Sequence, residues 1–286
     1  MSRASKPTGP TRPSTGRRPA AVVRRHPLAV KVPQITLLFW VLKLLTTGMG
    51  EAMSDFMGQR SVPIAAAVGI FGLGFALWLQ LRTPVYRAAV YWFAVMMVAI
   101  FGTMAADGIH IGAGIPYSVT TPVFAAIVAV IFWRWQRSEG TLSIHTINTR
   151  RRELYYWTAV LATFALGTAA GDLTAYSLKL GFWVSALLFA VVFALPGLAY
   201  WRGKLNPTLA FWAAYVVTRP LGASFADGFS KPTSGGLHWG DGTVSALALV
   251  VFVALVAYVA ITGRDIQLPH APHLEHASVQ PLPAES

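Results

Sequence analysis

An aromatic–Trp pair, a Gly ten residues beyond the Trp and an Asp five residues beyond the Gly recur four times in this chain. The copies are Phe39-Trp40…Gly50…Asp55, Tyr91-Trp92…Gly102…Asp107, Tyr156-Trp157…Gly167…Asp172 and Phe211-Trp212…Gly222…Asp227. With 10 Trp and six Asp in 286 residues, chance would supply roughly 0.2 such Trp-to-Asp spacings, so the pattern is an internal repeat. Repetition constrains the fold more than any local propensity, because equivalent residues need equivalent surroundings. Each copy also lies in a long apolar segment, where a carboxylate is costly and ordinarily has a task.

Hydrophobic residues make up 55 % of the chain and charged residues 12 %. A soluble domain carries about 25 % charged residues, so this composition belongs to a polytopic membrane protein. Apolar stretches run from about Pro33 to Phe56, Val62 to Leu81, Val85 to Ala106, Ile115 to Trp135, Leu154 to Tyr176, Leu180 to Trp201, Pro207 to Ala226 and Val244 to Ile261. Each has about 20 residues, enough to cross a hydrocarbon core of about 30 Å as a helix. Continuous apolarity with no period of two excludes a barrel. The expected fold is therefore an all-α polytopic membrane protein of eight transmembrane helices.

Loop charges give the orientation. Arg82 and Arg87, then Arg134, Arg137, Arg150, Arg151 and Arg152, then Arg202 and Lys204 fall in alternate connections. The other connections hold only Arg60, Lys179 and Lys231. With Arg3, Lys6, Arg12, Arg17, Arg18, Arg24, Arg25 and Lys31 ahead of the first span, the positive-inside bias puts both termini in the cytoplasm. Each repeat is then a two-helix hairpin, an even number of spans, so the four repeats run parallel. Repeats 2 and 4 share Asp-Gly at the motif's end, which suggests two pseudo-symmetric halves. The expected organisation is a disordered basic, Pro-rich tail (1–31), a first membrane half (32–137), a basic cytoplasmic linker (138–152), a second half (153–263) and a disordered cytoplasmic tail (264–286). The segment after the first tail is too long, and too charged at Lys43, Glu51 and Asp55, to be a cleavable signal peptide.

The phrases Lys31-x-Pro33-x-Ile35-Thr36-x2-Phe39-Trp40-x2-Lys43, Gly50-Glu51-x3-Asp55 and Gly167-Thr168-x2-Gly171-Asp172 carry a resemblance. Residues 31 to 263 resemble a family of bacterial inner-membrane proteins described as a repeat of unknown function, built of four tandem two-helix units with a Trp in each. The resemblance implies an integral membrane protein and no activity, so function must come from the residues.

A 15-residue step from Trp to Asp is about 22 Å of helix and returns within about 60° of the same face. Trp40, Trp92, Trp157 and Trp212, with Gly50, Gly102, Gly167 and Gly222, are expected to share a structural stripe with the aspartates on each odd helix, facing other helices. Asp55, Asp107, Asp172 and Asp227 should then cluster near the outer boundary. A carboxylate at a helix C-terminus opposes the macrodipole, so capping does not account for them. Lys43 and Arg219 lie near mid-depth and need partners from another helix, with the first and seventh spans expected to meet. Glu51 lies between the two levels. Pro220 is expected to break or kink the seventh span.

Five carboxylates (Glu51, Asp55, Asp107, Asp172, Asp227) against Lys43 and Arg219 suggest an ion- or substrate-binding set. The expectation is a transporter or channel-like carrier of a small solute, more readily a metal ion or organic cation than an anion, with or without proton coupling. Oxygen ligands alone favour ions such as Mn²⁺ or Mg²⁺ over copper or zinc. The alternative is a non-transporting scaffold or assembly protein whose Trp-Gly-Asp repeat is a helix-packing motif. Catalytic signatures are lacking, so no catalytic residue is assigned, and an enzyme is not expected. No cofactor is called for, no firm metal site is assigned, and the absence of Cys excludes thiolate chemistry. The expected partners are the lipid bilayer and a small-molecule or ion substrate, not nucleic acid, and a homo-oligomer is compatible with the pattern. His110 and His238 read as loop histidines near the acids, and His270, His273 and His276 as part of a solvated tail.

Overall fold

The computed structural model describes residues 30–267. The basic tail up to residue 29, and the C-terminal stretch with His270, His273 and His276, lie outside the described residues. Eight α-helices account for most of the rest, and no strand occurs among the described residues. They are α1 (Leu37–Arg60), α2 (Val62–Arg82), α3 (Ala88–Asp107), α4 (Tyr117–Glu139), α5 (Arg150–Asp172), α6 (Gly181–Trp201), α7 (Pro207–Ser230) and α8 (Asp241–Thr262). Local chemistry sets their ends. Thr36, Thr149 and Asn206 cap α1, α5 and α7 with side-chain oxygens. Gly140 and Gly263 close α4 and α8 in the left-handed conformation.

Six of these helices are long and apolar enough to cross a membrane: α2, α3, α4, α5, α6 and α8. Helices α1 and α7 are as long but less apolar, because they carry the deep charges. They are tolerated because they lie inside. α1 packs on α3, α3 on α5, α5 on α7 and α7 on α1, a closed inner ring. Each even helix lies outside, α2 against α3, α4 against α5, α6 against α7 and α8 back against α1. About three-fifths of the apolar window of α3 and α5 (61 %) is buried, against 17–22 % for the outer helices. The outer faces present Phe71, Phe75 and Trp78, Val123 and Ile127, Leu187 and Val191, and Val250 and Val253 to the surroundings. Apolar exposure on every outer helix is the signature of a lipid-facing surface.

The repeated Gly makes the ring possible. A Cβ on Gly50 would sit 2.4 Å from the Cβ of Ala99, one on Gly102 2.6 Å from that of Phe164 and one on Gly167 2.5 Å from that of Arg219, while on Gly222 it would meet the Thr47 side chain. In each case the obstructing residue lies three positions before the repeated Gly of the next helix. One seam is therefore used four times around the ring. The repeated Trp works one level lower. Phe39 meets Trp92, Tyr91 meets Trp157, Tyr156 meets Trp212 and Phe211 meets Trp40, with ring centroids 5.6–6.0 Å apart. Trp92, Trp157 and Trp212 are buried, which places them in the bundle rather than in an interfacial belt.

Three expectations need correction. Pro220 does not break α7, which is helical from Pro207 to Ser230. Its ring is seated against Gly167 and Gly171 of α5, where a neighbour without a side chain leaves room. The Asp-Gly likeness of repeats 2 and 4 does not pair them structurally. α3 and α5 pass from Asp107 and Asp172 into π-helical turns (Gly108–Gly112, Leu173–Ser177), whereas α1 and α7 continue as α-helix. Gly228 lies within α7 and packs closely on Trp183. Residues 264–267 are not loose either: Asp265 is buried against the Tyr86 hydroxyl, and its carbonyl accepts from the Gln34 N–H at 2.7 Å. The Lys31 N–H bonds the Ile147 carbonyl, and its ammonium pairs with buried Glu153 at 2.7 Å. Both described ends and the linker thus meet at the face that carries the arginine-rich connections.

The seam predicts a sharp positional contrast. Gly102→Val should lower stability by about 1–3 kcal/mol through overpacking. Gly74→Ala, on an outer face with nothing within 4 Å of the added carbon, should leave it unchanged or raise it by up to about 1 kcal/mol through helix propensity. Unfolding of the detergent-solubilised protein measures both, and equal effects would remove the seam from the explanation of the fold.

Candidate functional site

The inner helices meet along a stripe of every fourth residue. On α1 it reads Phe39, Lys43, Thr47, Glu51, Asp55; on α3 Tyr91, Val95, Ala99, Thr103, Asp107; on α5 Tyr156, Val160, Phe164, Thr168, Asp172; on α7 Phe211, Tyr215, Arg219, Ala223, Asp227. Steps of four drift by about 40° on an ideal helix, so a long four-residue stripe stays inward only if the helices wind around one another. The single Trp–Gly–Asp stripe expected from the sequence is therefore two stripes. Gly and Trp lie at the seams between helices, and Asp continues the line of inward residues that starts at the aromatic before Trp.

At the end opposite the basic loops, all four aspartates line one cavity of about 670 Å³, together with Glu51, Ser54, Tyr117 and Lys231. Gln59, Ile111 and Gly112, which are exposed, form part of its rim. Asp55 is paired with Lys231, which also reaches Asp241 at 3.1 Å. Burial works against the Lys231 charge, yet the carboxylates of Asp55 and Asp227 around it hold the ammonium above its ordinary range. Asp107 faces the Tyr117 hydroxyl at a loose 3.4 Å. Asp172 and Asp227 are buried, and among the described residues neither makes a salt bridge and Oδ1 of Asp227 has no hydrogen-bond partner. One oxygen from each of Glu51, Asp172 and Asp227 lies within 4.8 Å of the others.

The floor of the cavity is an ion pair between Arg219 and Glu51, both almost fully buried. The expected meeting of the first and seventh spans is thus present. Nη2 of Arg219 also reaches the hydroxyls of Thr103 and Thr168 (2.7 Å to Thr168), and Nη1 bonds the Thr47 carbonyl at 3.2 Å. Glu51, Thr103 and Thr168 are the residues directly after the repeated Gly, so three helices present oxygen to the guanidinium of the fourth. Nε of Arg219 has no hydrogen-bond partner among the described residues, so the pair is held through the two terminal nitrogens; removing one partner strands the other and costs about 3–5 kcal/mol.

Lys43 differs from its expectation. It lies one level below Thr47, off the cavity, and its Nζ has no hydrogen-bond partner among the described residues. Its ammonium sits over the rings of Phe164 and Tyr215, 4.0 and 4.2 Å from their centroids, where ring quadrupoles substitute for a carboxylate. Below it, Phe39, Tyr91, Tyr156 and Phe211 close the axis, and the hydroxyls of Tyr91 and Tyr156 bond to each other. The axis is therefore open at the acidic end and plugged at the basic one. His110 and His238 are not on the cavity wall; His110 stacks on Tyr117.

Sequence reasoning missed Thr103 and Thr168, Lys231, Asp241 and Tyr117. The first two were recoverable, because aligning the four motifs puts Glu51, Thr103, Thr168 and Ala223 in one column. The role of Lys231 was not, since a loop cation shows nothing of the acid it will meet.

No curated protein and no solved structure matches the chain. A family described as Repeat of Unknown Function (DUF347) matches residues 90–141, 155–205 and 210–265, more than half of the chain and three of the four units found here. The first unit lies outside the matched residues, yet Phe39, Trp40, Gly50 and Asp55 hold the same positions in the ring as their counterparts. The chain belongs to the repeat family of unknown function DUF347.

Proposed function

We propose that this protein is a membrane-spanning carrier for a small cation, entering by the acidic cavity. The observation that carries the reading is the convergence of all four repeat aspartates on one cavity while their neighbours Gly and Trp serve the helix seams. Packing therefore explains Gly and Trp and leaves Asp unexplained. Within that cavity Glu51 is matched by Arg219 and Asp55 by Lys231, so Asp107, Asp172 and Asp227 give the wall an excess of negative charge. A negative cavity with low-dielectric walls concentrates cations, whereas an anion would face it unfavourably.

In this reading all eight helices span the membrane, α1 and α7 included, as four parallel repeats. The common register of the four glycine seams supports that arrangement. Arg219 and Lys43 form a positive barrier below the acidic chamber, and the aromatic layer seals the basic side. Transport then requires the seams to shift so that the layer opens while the Arg219–Glu51 pair closes the chamber behind the ion. The concentration of Arg and Lys on the sealed face supports an orientation with both chain ends inside, and the bacterial cytoplasmic membrane is what the resemblance to a bacterial inner-membrane family implies. The second reading, a scaffold whose repeat only packs helices, draws on the same glycine seams but requires each aspartate to be replaceable.

Proteoliposomes give the primary test. Efflux and uptake of a panel of metal and organic cations should be lost, by at least about tenfold, in Asp107→Asn/Asp227→Asn protein that remains monodisperse; undiminished flux would remove the cavity from the mechanism. Orientation is checked separately in a chain that has no cysteine of its own. Thr233→Cys should react with an impermeant maleimide on intact cells, and Lys204→Cys only after permeabilisation. The opposite pattern would invert the topology and the direction assigned to the cavity.

A further inference from the structure

We propose that Glu51, Asp172 and Asp227 form a binding site for one oxygen-preferring divalent cation, with the Arg219 guanidinium as its resident competitor. The inference rests on the cation reading of the cavity and names the substrate class and the ligands. Three observations carry it. First, one oxygen of each residue lies within 4.8 Å of the others. Hard divalent ions hold oxygens at about 2.0–2.6 Å, so ligands on opposite sides of one ion are about 4–5 Å apart. Second, Oδ1 of Asp227, on a residue that is only 3 % exposed and lines the cavity, has no hydrogen-bond partner among the described residues. A buried carboxylate oxygen without a donor is costly, and a cation at the centre of the three acids would satisfy it. Third, with Glu51 matched by Arg219, Asp172 and Asp227 leave this cluster two formal negative charges, the complement of a divalent ion.

The donor set selects the ion class. The cavity wall holds no His, and its one sulfur, in Met104, lies in the position a side chain on Gly69 of α2 would occupy. Carboxylate and hydroxyl oxygen suit Mg²⁺, Ca²⁺ and Mn²⁺ rather than copper or zinc. Thr103, whose hydroxyl donates to Glu51 at 3.1 Å, orients that ligand.

Arg219 gives the site its function in a cycle. Without metal, the guanidinium takes Glu51 and keeps the deepest carboxylate neutralised. With metal, Glu51 swings to the ion and Arg219 retains Thr168 and the Thr47 carbonyl. Glu51 is thus shared between two cations, and turning its carboxylate toward the ion loosens its Oε2 contact with Arg219, which couples occupancy of the cavity to the α1–α7 contact.

The test uses the full chain in detergent with Mn²⁺ as probe, read by loss of the free-ion paramagnetic resonance signal. One Mn²⁺ per chain is expected, displaced by excess Mg²⁺ or Ca²⁺. Glu51→Gln and Asp172→Asn/Asp227→Asn should each weaken binding at least tenfold. Glu139→Gln, an acid paired with Arg151 and Arg152 on the opposite face, should leave it unchanged. Arg219→Lys, which keeps the charge but not the fork that meets Glu51, Thr103 and Thr168 together, should tighten it several-fold. Absence of saturable Mn²⁺ binding, or binding indifferent to the Glu51 and Asp172/Asp227 changes in folded protein, overturns the site. Mn²⁺ bound as expected but never transported upholds the site and overturns the carrier reading. Organic-cation flux without Mn²⁺ binding does the reverse.

Discussion

The close approach of the four inner helices at a single glycine each is the constraint on which everything else depends. At each seam a Cβ on the repeated Gly would fall within van der Waals contact of the next helix, so the separation of backbones is set by the absence of a side chain. In a bilayer there is little hydrophobic drive between helices, and association relies on close packing and polar contacts. Glycine supplies the first, and the Arg219–Glu51–Thr103–Thr168 girdle supplies the second at the same depth. Because the contact partner of each Gly lies three residues before the Gly of the next helix, the seam is self-propagating and closes after four units. The outer helices follow from this closure, each covering the groove beside the next inner helix and turning an apolar face to lipid.

Closure also decides what the axis contains. Once four equivalent helices are held at equal depth, equivalent residues fall into layers, and their chemistry changes from layer to layer: aspartates, then the Arg219–Glu51 girdle, then Lys43 among aromatics, then the aromatic plug. Divergence between repeats is concentrated in the middle layers. The outermost layer keeps Asp in all four units and the innermost an aromatic in all four, whereas the layers between hold Glu51, Thr103, Thr168 and Ala223, and Thr47, Ala99, Phe164 and Arg219. An exact fourfold ring would place four like charges at mid-depth. Breaking the symmetry there, with one acid and one base on adjacent helices, allows a charged girdle to exist in a low-dielectric interior.

The two buried cations illustrate different solutions to one problem. Arg219 presents a planar fork to oxygens from three helices, which suits guanidinium geometry. Lys43, a point charge with no carboxylate at its level, lies between aromatic faces instead. Neither arrangement was legible from intrahelical spacing, which showed only that partners on the same helix were too far away.

The repeat, the membrane class, the eight helices and the opposition of a basic to an acidic face were all legible in the chain, because they rest on quantities that are local: apolar length, charge in connections and spacing along a helix. Asp55, Asp107, Asp172 and Asp227 could be nominated for the same reason, since a carboxylate in an apolar segment stands out without any knowledge of neighbours. What the tertiary structure decided was which side chains meet. It separated Gly and Trp at the seams from Asp on the axis, gave Glu51 to Arg219 and Asp55 to Lys231, left Asp172 and Asp227 without a salt-bridge partner among the described residues, kept α7 continuous through Pro220, and put α8 beside α1 to complete the ring. Those outcomes depend on how four helices wind around one another and on the closer approach that a missing Cβ allows, and no one-dimensional pattern carries that information.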